Sequence, residues 1–126
     1  LKFMLGMYDG LVLAGTGSGN YPTKIKEVLE NYTGECTVVR ASRVLEGAVF
    51  DSEIFDSKRV TIPAYKFSAQ KARILLMLAL NCTKNHEIIK SFFQEYWKNF
   101  SCIVNNFVNA IIIYRLLQDR RLLCSN

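Results

Sequence analysis

At 126 residues, half of them apolar, the chain is long enough for one domain with a real core and too short for two ordinary ones. Its net charge of +5 is uneven: residues 1–97 hold 12 Lys/Arg against 10 Asp/Glu (+2), and residues 98–126 hold four against one (+3). No basic block marks the main body, which excludes a nucleic-acid footprint, and no apolar run is long enough to cross a membrane, residues 103–114 being short and broken by three asparagines.

The four cysteines, Cys36, Cys82, Cys102 and Cys124, form no CxxC pair, and His86 is the single histidine. That spacing excludes a zinc site of the usual kind, so buried free thiols are expected and neither a metal nor a cofactor is. Three glycosylation sequons, at Asn31, Asn81 and Asn99, matter only in a eukaryotic secretory setting.

In chain order, residues 1–7 read as the tail of an apolar segment, without a cleavable leader pattern. Residues 8–14 form a short apolar run ending in the glycine-rich turn Gly15-Thr16-Gly17-Ser18-Gly19-Asn20, which predicts a buried strand followed by a tight turn. Pro22 opens a helical pattern over 23–32, with Ile25, Val28, Leu29 and Tyr32 on one face and Gly34 as its stop. A second strand over 36–41 completes a parallel βαβ unit. Residues 42–57 are loop-like and acidic, with a brief β pair near residues 48–50, and residues 60–62 before Pro63 suit a short edge strand. Ser68 caps a long helix over 69–80, and Asn85 caps another from His86 to about Trp97, with His86 facing solvent. The tail has no Gly or Pro, and a helix over 102–121 is possible without a clean apolar stripe.

A strand, a glycine turn and a helix make the arrangement in which α/β proteins hold ligands beyond the carboxyl ends of their strands. Glycines let a ligand approach the backbone, and Asn20 presents an amide with donors and an acceptor at the mouth of that turn. Taken alone, the turn also fits a plain βα connection.

Three segments together resemble the C-terminal domain of the bacterial-type L-asparaginase/glutaminase family, more the exported type II group than the cytoplasmic type I. They are DGLVLAGTGSGN at 9–20, VVRASRVLEGAVF at 38–50, and SAQKARILLMLAL at 68–80 followed by IIKSFFQEY closing at Tyr96. The resemblance covers about three-quarters of the chain. It implies an α/β, Rossmann-like domain over residues 1–97, a small parallel sheet flanked by helices on both faces. Residues 98–126 are a non-family tail, helical or disordered, whose composition suits a read-through or frameshifted product better than a lineage-specific extension.

Carried over by position, Asn20 matches the family asparagine that reaches into a neighbouring subunit's active site. Glu53 falls near the family acid that contacts the substrate amino group across that interface. The alignment there needs a one-residue gap, so Asp51 and Asp56 stand as alternatives. Arg40, Ser42 and Arg43 match a strand-end motif in which Ala41 replaces a serine, and Gln70, Lys71 and Arg73 match a helix signature with a packing role. The substrate implied is L-asparagine, with L-aspartate as product, in a homo-oligomer that is tetrameric in the family. A periplasmic or secreted location follows if the type II likeness holds.

The family's threonine nucleophile and its partners belong to an N-terminal domain that this sequence does not contain. The expectation is therefore a C-terminal fragment, inactive alone, with no catalytic residue of its own. Two other readings stand beside it. One is a free-standing interaction or oligomerisation domain. The other is a dinucleotide module, against which count Asn20 at the third glycine position of GxGxxG and the Arg40–Arg43 stretch where an acid belongs.

Overall fold

Alternating apolar residues on three parallel strands set the layers of the molecule. The computed structural model describes residues 1–53 and 56–100, apart from the side chains of Asn99 and Phe100; the helix expected over 102–121 lies outside the described residues. The element order is α1 (Lys2–Met7), β1 (Gly10–Gly15), α2 (Thr23–Glu30), β2 (Thr37–Ser42), β3 (Thr61–Ser68), α3 (Ala69–Cys82) and α4 (His86–Phe100). The strands lie in the order β1-β2-β3, all parallel, with Leu11 opposite Val38 and Val39 opposite Ile62. Every residue of the central strand β2 is buried.

On one face Val39, Ala41, Ile62 and Ala64 meet Ala72, Leu75, Leu76 and Ala79 of α3 and Ile89, Phe92, Phe93 and Tyr96 of α4. On the other, Val38 packs with Leu5 of α1 and Leu29 of α2, joined by Leu11, Leu13, Ile25 and Val28. Leu11 and Leu13 thus point opposite to Val12, as strand pleating requires. The result is the expected three-layer α/β fold with helices on both faces.

The caps are local chemistry. Ser68 accepts from the Lys71 amide at 3.4 Å, and Asn85 Oδ1 accepts from Glu87 and Ile88 amides at 2.9 and 3.2 Å. Three elements differ from expectation. Residues 2–7 are helical, a short turn anchored by buried Leu5. Helix α2 ends at Glu30, where the Asn31 and Tyr32 amides close onto Glu27 and Leu29 carbonyls. Strand β3 continues through Pro63 to Ser68, because it is the edge of this sheet and Pro63 need not donate outward. Between the pairs Arg40–Pro63 and Ser42–Ser68, two steps of β2 face five of β3, and Tyr65 takes up this excess at φ 54°.

Cys36 and Cys82 are free as expected, but half-buried, Cys36 against the core layer of Leu5, Leu29 and Val38. His86 is half-exposed, with Nδ1 3.6 Å from Glu87 Oε1. No helix among the described residues is long and apolar enough to cross a membrane.

Candidate functional site

The glycine turn follows β1 directly. Thr16 and Asn20 pair across it: the Thr16 amide donates to the Asn20 carbonyl at 3.1 Å, and the Asn20 and Gly19 amides donate to the Thr16 carbonyl at 2.8 and 3.0 Å. Gly17 and Gly19 both lie at positive φ, 51° and 82°. Gly19 is also sterically obligatory: a Cβ there would lie 2.9 Å from Arg40 Cγ and 3.0 Å from Val49 Cγ2. Because the Gly19 and Asn20 amides are spent inside the turn, they are not aimed at a phosphate. This weakens the dinucleotide reading on grounds independent of motif matching.

Asn20 is exposed, and its side-chain amide has no hydrogen-bond partner among the described residues. It lines an open depression of about 500 Å³ at the carboxyl end of β1, with Thr16, Tyr21, Ile25 and Arg43. The Arg43 amide donates to the Gly15 carbonyl at 2.8 Å, which seats this arginine beside the turn. Tyr21 is partly buried; burial first, then the Asp56 charge, pushes its phenol above the ordinary tyrosine range.

The three loop acids separate by environment. Asp56 is only 6% exposed and is consumed internally: its carboxylate accepts from the Val60 amide at 2.9 Å, the Thr61 amide at 2.7 Å and the Thr61 hydroxyl at 2.6 Å. It anchors the loop to the start of β3. The side chain of Asp51 is 42% exposed and pairs with the better-shielded Lys90 of α4 at 3.1 Å. That of Glu53 is 78% exposed, paired with Arg59 at 3.1 Å. A pair so exposed contributes about 0–1 kcal/mol, so breaking it costs little.

Glu53 does not line the depression that holds Asn20. Its partner Arg59 instead lines a second depression, about 590 Å³, with Cys36, Thr37, Val60, Lys84 and His86 at the amino ends of β2 and β3. There burial pushes the Cys36 thiol up, with Asp9 adding to the effect. Lys84 is raised by its 3.0 Å hydrogen bond to Asp9. Among the described residues no group of His, Cys, Asp and Glu is arranged to hold a metal.

The strand-end motif Arg40–Arg43, which composition alone leaves without a role, supports the turn. Ser42 Oγ donates to the Gly17 carbonyl at 2.6 Å and accepts from the Val44 amide at 3.0 Å. Arg40 is 1% exposed; its Nη1 faces the Ser18 carbonyl at 3.4 Å and its Nη2 the Phe50 carbonyl at 2.8 Å. The sequence signal was present in the spacing of the motif behind β2, but nothing local identified its partners, which lie 22 and 10 positions away.

Residues 2–93 match the family model described as the glutaminase/asparaginase C-terminal domain. The chain is 41% identical over 91 residues to L-asparaginase 2 of Escherichia coli, covering 71% of this chain and 26% of that protein. It is 38% identical over 91 residues, with the same coverage, to a probable periplasmic L-asparaginase of Haemophilus influenzae. The crystal structure of a probable cytoplasmic L-asparaginase from Campylobacter jejuni superposes with a TM-score of 0.57 at 38% identity, over 68% of this chain and 26% of that one. The chain therefore spans about a quarter of the length of these relatives. One 38% match is named periplasmic and the other cytoplasmic, so degree of likeness does not select a compartment.

Proposed function

Because this chain belongs to the glutaminase/asparaginase C-terminal domain family, we propose that it is the C-terminal part of an amidohydrolase that converts L-asparagine to L-aspartate and ammonia. Its own share of the work is substrate contact rather than bond-breaking. Attack on the side-chain amide falls to a threonine of the N-terminal domain that such enzymes carry, through an acyl-enzyme. The part contributed here is Asn20, whose amide stands unpaired at the rim of the depression and is suited to orient a polar side chain in a neighbouring subunit. Glu53, the most available of the three loop acids, accepts a charge-assisted bond from the substrate's α-ammonium. The unpaired, exposed Asn20 amide on a rigid glycine turn is the observation that carries this reading.

A homo-oligomer is part of the proposal, since the contacts described serve a site completed by another copy. Exposed apolar side chains beside the turn, Val44 and Leu45, suit such an interface. The same side chains favour the second reading, a stand-alone oligomerisation domain that kept the contact surface without the chemistry.

The test is a graft. Residues 2–93 replace the matching segment of the Escherichia coli relative, and ammonia release from L-asparagine is measured. Asn20→Ala and Glu53→Gln should each raise KM about tenfold or more, the loss of roughly one charge-assisted or well-placed hydrogen bond. An active graft in which neither substitution moves KM would remove both residues from the substrate.

A further inference from the structure

We propose that Arg40 is a positioning residue that fixes the glycine turn and the acidic loop to each other, and so sets substrate affinity without touching substrate. This rests on the assignment of Asn20 and the acidic loop to substrate contact. The geometry is that of one planar fork holding two loops. Nη2 donates to the Phe50 carbonyl at 2.8 Å, one residue before Asp51, and Nη1 faces the Ser18 carbonyl at 3.4 Å, two residues before Asn20. Gly19, between Ser18 and Asn20, rests directly on the Arg40 stem, since even a Cβ there would approach Cγ to 2.9 Å.

Other contacts hold each loop singly: Asp51 pairs with Lys90 of α4 at 3.1 Å, the Phe50 ring meets Tyr65 and Trp97, and the Arg43 amide bonds the Gly15 carbonyl at 2.8 Å. The turn is held by the Ser42 hydroxyl at Gly17, and the acidic loop by the Val49 amide donating to the Tyr65 carbonyl at 2.8 Å. Arg40 reaches carbonyls of both loops, beside the direct packing of Val49 on Gly19. It does so from within the central strand β2, with Nε lacking an acceptor among the described residues. A guanidinium has its donors in a rigid fork, so two carbonyls bonded to it cannot drift apart independently. A lysine ammonium at this depth reaches one carbonyl or the other. Leaving so polar a group buried without a carboxylate among the described residues is costly for stability alone, and is accounted for if its work is registration of the two loops.

Two measurements test this. In the full chain, amide exchange is followed at Gly19 and Asn20 in the turn, at Val49 in the loop, and at Ile89, which is bonded to the Asn85 carbonyl in α4. Arg40→Lys should speed exchange at the first three by about tenfold or more, and leave Ile89 unchanged, as local opening does. Equal acceleration at all four would mean that Arg40 is a general structural residue, and would overturn the proposal.

In the graft, Arg40→Lys should raise KM for L-asparagine about tenfold or more with kcat within about threefold, because a displaced contact costs binding while the nucleophile stays in place. The double variant with Asn20→Ala should be no worse than Asn20→Ala alone by more than about threefold, since both act on one contact. If Asn20→Ala raises KM and Arg40→Lys does not, the positioning role fails while the substrate assignment survives. If neither Asn20→Ala nor Glu53→Gln moves KM, the substrate assignment fails and takes this role with it. Arg40→Met, which keeps the stem against Gly19, serves as the second variant and should match Arg40→Lys in both measurements.

Discussion

Gly17 and Gly19 offer a controlled comparison within one turn. Both have positive φ, so an alanine at either carries the left-handed backbone penalty of about 1–2 kcal/mol. They differ in their surroundings: a Cβ at Gly17 meets nothing within 4 Å, whereas one at Gly19 sits 2.9 Å from Arg40 Cγ and 3.0 and 3.2 Å from the two Val49 methyls. Neither neighbour yields easily, since Arg40 is fixed by its carbonyls and Val49 is fully buried. Overpacking of this kind adds about 1–3 kcal/mol. Gly17→Ala should therefore cost about 1–2 kcal/mol and Gly19→Ala about 2–5 kcal/mol, the loss of glycine's unfolded-state entropy being common to both. For a domain of this size the difference is a melting temperature lower by at least about 4 °C for Gly19→Ala. Urea unfolding of the full chain, followed by far-ultraviolet circular dichroism and by fluorescence of Trp97, the single tryptophan, measures both. In a Val49→Ala background, which removes both methyls, the excess cost at Gly19 should shrink. Equal costs within about 0.5 kcal/mol would refute the view that the turn is packed onto Arg40 and Val49.

Asp56→Ala strands the Val60 and Thr61 amides and should destabilise the chain by about 2–4 kcal/mol, while Asn20→Ala, exposed and unpaired, should stay within about 0.5 kcal/mol of the parent in the same urea assay. Phe93→Ala, at the fully buried centre between β3 and α3, should cost about 3–5 kcal/mol. The phenols of Tyr21 and Tyr65 are both raised by burial, so the fold favours their neutral forms. That contribution is complete below about pH 10 and is lost as pH rises through the raised values, so melting temperature should fall on the alkaline side, less steeply in Tyr21→Phe. With its thiol pushed up by burial, Cys36 should react with iodoacetamide at pH 8 more slowly than a free thiol; a rate equal to that of free cysteine would contradict its placement.

What could be read from the amino acids was what depends on neighbours in sequence. Ser68 and Asn85 mark helix starts because their side chains bond amides two or three residues on. The strand–turn–helix order around Gly15–Asn20 follows from apolar runs and glycines alone. The edge position expected for residues 60–62 holds, but the strand runs on through Pro63 to Ser68, since an edge proline need not donate outward. The helix at Lys2–Met7 contains Gly6 and has no side-chain cap, so its helicity comes from the docking of Leu5 rather than from propensity. The work of Arg40 was hidden for a related reason: Ser18 and Phe50 come together only once β1, β2 and the returning loop are in place. Of the three loop acids, sequence spacing ranked none decisively, whereas burial removes Asp56 from consideration at once.

The most direct test of a shared site is subunit complementation. Two versions of the graft are co-expressed, one carrying Asn20→Ala and the other inactivated at the nucleophile of its N-terminal domain, and mixed assemblies are purified through two different tags. If Asn20 serves a neighbouring subunit, a mixed assembly contains sites that combine an intact nucleophile with an intact Asn20, and their low-KM hydrolysis of L-asparagine returns although neither parent shows it. If Asn20 serves only its own chain, mixing restores nothing, and if it serves no site the Asn20→Ala parent already shows the low-KM hydrolysis; either result contradicts the assignment of this domain to substrate contact across the interface.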